Sequence, residues 1–253
     1  MAQTDGVLQK LRTGYTHLLG APPAAFEKSG FTLVSNPIRN EPEWANWIQP
    51  IWFFSIGPSV ICSVAPQFAD QVGSEFKDIA PGTLLEKALL RRAELIIPDK
   101  EWVQCELFYY PLPKLPTLPI SQRYHNVVRL EPGQTDAQRL LRNFDGGVYA
   151  IRDSAGKLAS HAAIKNKGVI REIAVGTQPS YQRQGMGREV VTRAVQEILS
   201  VECVPTYWPD SLDNTASYAL ARTVGFIKVA QMLFCAYERP GWSGFVVSTH
   251  DQI

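Results

Sequence analysis

The sequence predicts an α/β chain built on a mixed, mostly antiparallel central sheet flanked by helices. Three observations predict it. Short runs rich in Val, Ile and aromatic residues recur through both halves, as strands require. Segments with apolar residues at helical period alternate with them. Between the halves, Pro111, Pro113, Pro116 and Pro119 interleave with Leu112, Leu115 and Leu118. That spacing suits neither a helix nor a central strand, and it favours a stiff connector. The expected organisation is an N-terminal α/β domain over residues 1–120 and a second domain over residues 121–253.

The first half opens with a helix face formed by Val7, Leu8, Leu11, Tyr15, Leu18 and Leu19, stopped by Gly20. Residues 21–46 read as irregular, with Trp44, Trp47 and Trp52 gathered near their end. Ile51 to Ile56 and Ser59 to Val64 read as a hairpin around Gly57-Pro58. Thr83-Leu84-Leu85-Glu86 has the form of a capping box opening a helix. Glu101 to Tyr110 is a further strand.

The second half is more regular. Val127 to Leu130 is a strand, and Thr135 or Asp136 caps a helix that reaches Phe144. Gly147 to Arg152 and Leu158 to Lys165 are strands joined by an Asp-Ser-Ala-Gly turn. A third strand, Val169 to Thr177, follows. Val204 to Trp208 is a strand, Asp213 or Asn214 caps a helix ended by Gly225, and Phe226 to Tyr237 is the last strand.

Residues 169–200 carry the chemistry. The strand ends at a Pro179-Ser180 turn and passes into Gln182-Arg183-Gln184-Gly185-Met186-Gly187. Val190, Val191, Ala194, Val195, Ile198 and Leu199 then form one helical face. Strand, glycine loop and helix point backbone N–H groups and a helix N-terminus at an anion. Glycine lets that backbone approach a ligand, and Arg183 and Arg188 add positive charge. A phosphate or pyrophosphate site is indicated. The GxGxxG dinucleotide fingerprint and the GxxxxGK[ST] mononucleotide loop are both absent, which argues against a redox dinucleotide enzyme.

Composition bounds the rest. Of 253 residues, 45% are hydrophobic and 19% charged, a globular balance. A net charge of +1 gives no reason to expect a nucleic-acid or membrane partner. Cys62, Cys105, Cys203 and Cys235 are far apart with no CxxC spacing, so no metal site is expected. The N-terminus lacks a signal-peptide core, and no run reaches the ~18 apolar residues of a membrane span. These features fit a cytoplasmic protein, as a monomer or a homodimer.

The string Gln-x-x-Gly-x-Gly, closely preceded by a Pro-x-Tyr, resembles the acetyl-CoA loop of the GNAT superfamily of acyl-CoA N-acyltransferases. Asn214-x-x-Ser217 followed by Ala221-x-x-x-Gly225-Phe226 resembles the last-helix signature of the same superfamily. Glu172-Ile173-x-Val175-x-Thr177 resembles a subgroup carrying an extra N-terminal domain, and the first half could be a degenerate copy of the second. The resemblance implies transfer of an acetyl group from acetyl-CoA to a small-molecule or peptide amine by direct attack. Backbone at Val175 and Thr177 would then pair with the pantetheine arm. The N–H groups of Gln182, Arg183, Gln184, Gly185, Met186, Gly187 and Arg188 would hold the pyrophosphate, with Asn214 and Ser217 also near the cofactor.

The base would be Glu172, or else His161 or water. Counted back from Thr177, strand alternation gives Arg171 rather than Glu172 the family's usual base parity, and only a bulge would reverse it. The superfamily's usual acid, a tyrosine after the last helix's leucine, is here Ala221. Tyr218, three residues earlier on nearly the same helix face, is the substitute. The missing tyrosine leaves open a second class, a non-catalytic acyl-CoA-binding or regulatory protein.

Overall fold

The computed structural model describes residues 2–44, 47–115, 126–131, 133–134 and 138–238. The first half comprises α1 (Ala2–Leu19), β1 (Gly30–Ser35), β2 (Pro42–Trp44), β3 (Trp47–Ile48), β4 (Ile51–Ile56), β5 (Ser59–Val64), α2 (Ala69–Phe76), α3 (Lys87–Glu94) and β6 (Glu101–Tyr109). The second comprises β7 (Val128–Arg129), α4 (Gln138–Asn143), β8 (Val148–Arg152), β9 (Leu158–Lys167), β10 (Ile170–Thr177), α5 (Met186–Ser200), β11 (Val204–Tyr207), α6 (Thr215–Val224) and β12 (Ile227–Glu238). The element order expected for the second half is the order found.

Three expectations for the first half need correction. Residues 21–46 contain β1 and β2, which the surrounding prolines conceal. Helix α2 was not anticipated. The Thr83–Glu86 box does not open a helix: α3 starts at Lys87, and Thr83 Oγ1 donates to the Ala80 carbonyl instead. The Leu84 N–H is claimed by Gln231 Oε1 on β12, 3.2 Å away, so a tertiary contact overrides the local motif. The Thr135 or Asp136 cap and the connector positions Pro116, Leu118 and Pro119 lie outside the described residues.

Among the described residues twelve strands form one sheet, ordered β1-β5-β4-β12-β6-β11-β10-β9-β8-β7, with β2 and β3 attached beside β12. Among the described strands, only β1–β5 and β10–β11 pair in parallel. The two halves interleave. β6, from the first half, lies between β11 and β12 of the second. β12, from the second half, lies against β4, β6 and β3, all of the first.

Helices cover both faces of this sheet. On one, α5 buries Met186, Val190, Val191, Ala194, Val195 and Ile198 against Ile173 and its neighbours. On the other, α1 buries Leu11, Tyr15 and Leu19 in a core with Trp52, Phe54, Ile170 and Val204. Ile170 and Ile173 differ by an odd number, so alternation sends them to opposite faces. Helix α1 crosses β10 at Gly14, where a Cβ would collide with the Ile170 side chain.

A chain starting at residue 121 would lack every described strand that pairs with β12, leaving fully buried Leu233 and Cys235 without cover. Open edges of this kind template aggregation. Expression of residues 121–253 alone should give insoluble protein, and a monomeric fragment with a cooperative thermal transition would contradict the interleaved sheet.

Candidate active site

The sheet forks in its second half. β10 and β11 pair over only three steps, Ile170–Val204, Arg171–Pro205 and Glu172–Thr206. Pro205 brings no N–H to this ladder, and Thr206 Oγ1 fastens the crotch by donating to the Arg171 carbonyl at 3.3 Å. Beyond it, Thr206 and Tyr207 of β11 also pair with Tyr109 and Phe108 of β6. β10 runs on to Thr177 with β9 as its one neighbour among the described strands. From Ile173 to Thr177, Val175 and Thr177 included, one edge of β10 therefore faces an open wedge with obligatory hydrogen-bonding groups on it.

At the tip of β10 the chain makes a 3₁₀ turn over Pro179–Tyr181 and enters the glycine loop. The Tyr181 hydroxyl donates to Asp153 Oδ2 at 2.8 Å, which anchors the loop to the β8–β9 turn. Gln182 Nε2 donates to the Thr177 carbonyl at 3.4 Å and Gln184 Nε2 to the Ser180 carbonyl at 3.1 Å. Arg183 and Gly185 are both left-handed, with φ of 61° and 86°. Such alternation turns successive N–H groups inward as an anion-binding nest. Gly185 is the N-cap of α5 and no side chain caps it, leaving the first-turn N–H groups at Met186, Gly187 and Arg188 facing outward. A Cβ on Gly187 would stand 3.3 Å from Thr177 Oγ1 and 3.7 Å from Leu220 Cδ2, so α5, the tip of β10 and α6 converge here.

Helix α6 closes the other side. Asn214 caps it, its Oδ1 accepting from the Ser217 N–H at 3.0 Å while its Nδ2 donates to Asp210 at 2.9 Å. The Ser217 hydroxyl is hydrogen-bonded to the hydroxyl of Tyr207, a buried residue at the end of β11. Tyr218 is the next residue on α6. Its ring meets Phe108 of β6 edge-on at 5.7 Å, and burial, with the Glu106 and Cys105 charges, pushes its phenol up to about 12.

Glu172 sits at the crotch, on the α1 face. Its carboxylate is 3.0 Å from Lys167 Nζ, which is also 2.9 Å from Glu43. Arg39 completes the chain of charges, 3.4 Å from Glu43, and both cations lie over the Trp52 ring. Burial works against the charge on Lys167, but Glu172 and Glu43 outweigh it and raise its ammonium above the ordinary value. Burial likewise works against the Glu43 carboxylate, and Lys167 with Arg39 more than offsets that. The cluster joins the halves, with Arg39, Glu43 and Trp52 from the first and Lys167 and Glu172 from the second.

Residues 116–226 match the model of the acetyltransferase (GNAT) family. The chain carries a GNAT domain. Among solved structures, it is similar to a GCN5-related N-acetyltransferase from Sphaerobacter thermophilus, at 13% identity over 72% of this chain and 73% of that one, TM-score 0.45. It is also similar to a GCN5-related N-acetyltransferase from Kribbella flavida, at 19% identity over 62% and 65%, TM-score 0.41. A Salmonella typhimurium protein solved with its cofactor acetyl-CoA aligns at 16% identity over 40% and 69%, TM-score 0.30. The chain spans 59% to 66% of the lengths of the structures it matches first. No curated protein matches it. Among the described residues, no helix is long and apolar enough to cross a membrane.

In this GNAT domain Val175 and Thr177 lie on the open edge of β10 and the glycine loop follows its tip, while Asn214 and Ser217 stand at the start of α6. The ladder between β10 and β9 is unbroken from Ile170 to Thr177, so no bulge changes the parity of Glu172. Glu172 therefore faces α1, opposite to Val175 and Thr177. His161 pairs across the sheet with Gly176 and packs against it. Tyr207, the Thr206 crotch bond and the Lys167–Glu43 bridge were missed from the sequence.

Burial lowers the His161 imidazole to about 4, so it is neutral near pH 7 and a weak base there. Its folded pKa lies below the ~6.5 of a free histidine, so the unfolded chain binds the proton more readily between those values. Stability from this residue is complete above pH ~6.5 and declines as pH falls toward 4. Thermal melts should show that decline in the wild type and a flatter profile in His161→Gln. Identical slopes would exclude this assignment.

Proposed function

We propose that this chain transfers an acetyl group from acetyl-CoA to the primary amine of a small molecule or peptide in the cytoplasm, by direct attack on the thioester. The observation that carries the proposal is the meeting of an anion nest with an open strand edge. The nest from Gln182 to Arg188 suits a pyrophosphate, and the β10 edge leading from it suits an amide-bearing arm. The thioester then reaches the crotch, where a β10 N–H near Val175 polarises its oxygen. The amine nitrogen forms its bond to the carbonyl carbon, the carbon–sulfur bond breaks, and the sulfur leaves with the electron pair.

Glu172 is the proposed proton acceptor, acting through water: its backbone lies at the last step before the sheet opens, and its carboxylate turns to the α1 face, where it pairs with Lys167. Its bridge to Lys167 also makes it sensitive to the first half of the chain. The residues up to 120 form the wall beside Glu172 through Arg39, Glu43 and Trp52, and we assign them a part in shaping the acceptor side. Trp47 is half-buried against the same core, while the Trp44 side chain lies outside the described residues. A second reading, an acyl-CoA-binding protein without turnover, is favoured by Ala221 alone. Incubation with acetyl-CoA and a panel of amines, following free thiol, separates the two.

Gly185→Asp forces a side chain into a left-handed position and adds negative charge at the nest. Calorimetry should show CoA affinity reduced at least about tenfold, or ~1.4 kcal/mol. Undiminished affinity in a folded variant would remove the nest from the mechanism. Glu172→Gln should retain CoA binding and lower turnover by about 10²–10⁴. Full turnover across pH 6 to 9 would transfer the role to water.

A further inference from the structure

At the closed end of the fork the two large cores do not meet. A cavity of about 780 Å³ lies there, between the start of α1, residues 112–115, the end of α5 and the start of β11. Val204, which lines it, makes the first step of the ladder with β10, so the wedge lies at the other end of that ladder. Helix α5 spans the interval. Its first turn belongs to the nest, and Gln196, Leu199 and Ser200 near its end line the cavity, about 20 Å further along the helix axis.

We infer that this cavity is a second ligand site, for a free alkyl carboxylate: an acid head on a linear apolar tail. Its lining is graded. Val7, Leu115, Leu199 and Cys203 are half-buried and Val204 is buried, and together they form an apolar floor drawn from both cores. The polar lining residues, Lys10, Lys114, Gln196, Ser200 and Glu202, are all exposed, which confines polarity to the rim. Packed interiors leave few voids larger than a water molecule, and this volume is that of a small-molecule pocket. Leu112, also in the lining, is a large apolar side chain left 40% exposed, which a bound tail would cover.

Charge selects the head. Lys10 and Lys114 outnumber Glu202 in the lining, so the rim is net positive. The Lys10 ammonium is held at the turn between α5 and β11, where it donates to the Glu202 carbonyl at 3.2 Å. An ammonium has three donors, so that bond leaves others for a carboxylate. An alkyl amine would meet like charge at this rim. A sugar or nucleotide would set polar groups against the apolar floor without partners, which is costly. A carboxylate with an alkyl tail satisfies both rim and floor.

Cys203 supplies the reporter, as the one cysteine of the four that is not buried. Sodium decanoate, kept below its micellar concentration, should slow maleimide labelling of Cys203 at least about tenfold at saturation, and calorimetry should read the same binding without the thiol. From hexanoate through octanoate to decanoate, the half-protecting concentration should fall about fourfold per added CH₂. Decanol, with the same tail and no charge, should require about tenfold more. Replacing two exposed side chains, Lys10→Ala with Lys114→Ala, should weaken decanoate by a similar factor and leave decanol unchanged. Decanoate affinity should be the same with and without saturating CoA, so a failure of the acyl-CoA reading leaves this site standing. Decanoate that neither slows labelling nor gives a binding heat overturns the site. Equal protection by decanol, or an unchanged double variant, overturns the carboxylate head. Protection by anionic vesicles without protection by decanoate overturns a free ligand in favour of a lipid surface, and competition between decanoate and CoA overturns a second site.

Discussion

The exchange of strands between the two halves is the constraint on which the rest depends. β6 enters between β11 and β12, and β12 enters between β4 and β6. Each exchanged strand finds its hydrogen-bonding partners in the other half of the chain. Backbone groups buried without partners are costly, so neither half satisfies its own sheet. The proline-rich connector joins segments that are already held together by ladders, with Phe234, for example, between Val103 and Trp52.

The fork follows from that exchange. β11 has β10 on one side and β6 on the other, and the two neighbours draw it in different directions. Its shared steps with β10 end at Thr206, where the ladder to β6 begins. The wedge that exposes the edge of β10 is thus a by-product of inserting a first-half strand beside β11. The same insertion brings Phe108 and Glu106 against Tyr218, which occupies its phenol on the β6 wall. The ion cluster ties the outer side of the crotch to residues near position 40.

Much of this was legible in the sequence where the deciding physics is local. The hairpin over 51–64 is a run of buried apolar residues broken by Gly57-Pro58, and it forms as expected. The loop from Gln182 to Gly187 and the caps Asn214 and Gly225 depend on backbone conformations their own residues prefer. What was not legible depends on distant partners. Thr83 to Glu86 has the right residues for a cap, but Gln231 takes the Leu84 N–H and Gln104 takes the Leu84 carbonyl. Glu172 was recognisable as a candidate acid–base group, yet its bridge to Lys167 and Glu43 could not be read, because Glu43 lies far away in the chain. Tyr207 reads as an ordinary strand residue until its hydroxyl is seen against Ser217.

The position of β12 also governs the order in which the protein can assemble. It follows every other described strand in the chain, yet it fills a central slot of the sheet. During synthesis, β4 and β6 emerge early and must wait with apolar edges open until β12 arrives. Pairings such as Phe54 with Met232 span most of the chain, and loop closure over such distances is slow. Until β12 arrives, the first half presents a vacant strand position, which an extended apolar segment could occupy. Its yield in a cell should depend more on protection of that slot than on the final stability of the sheet.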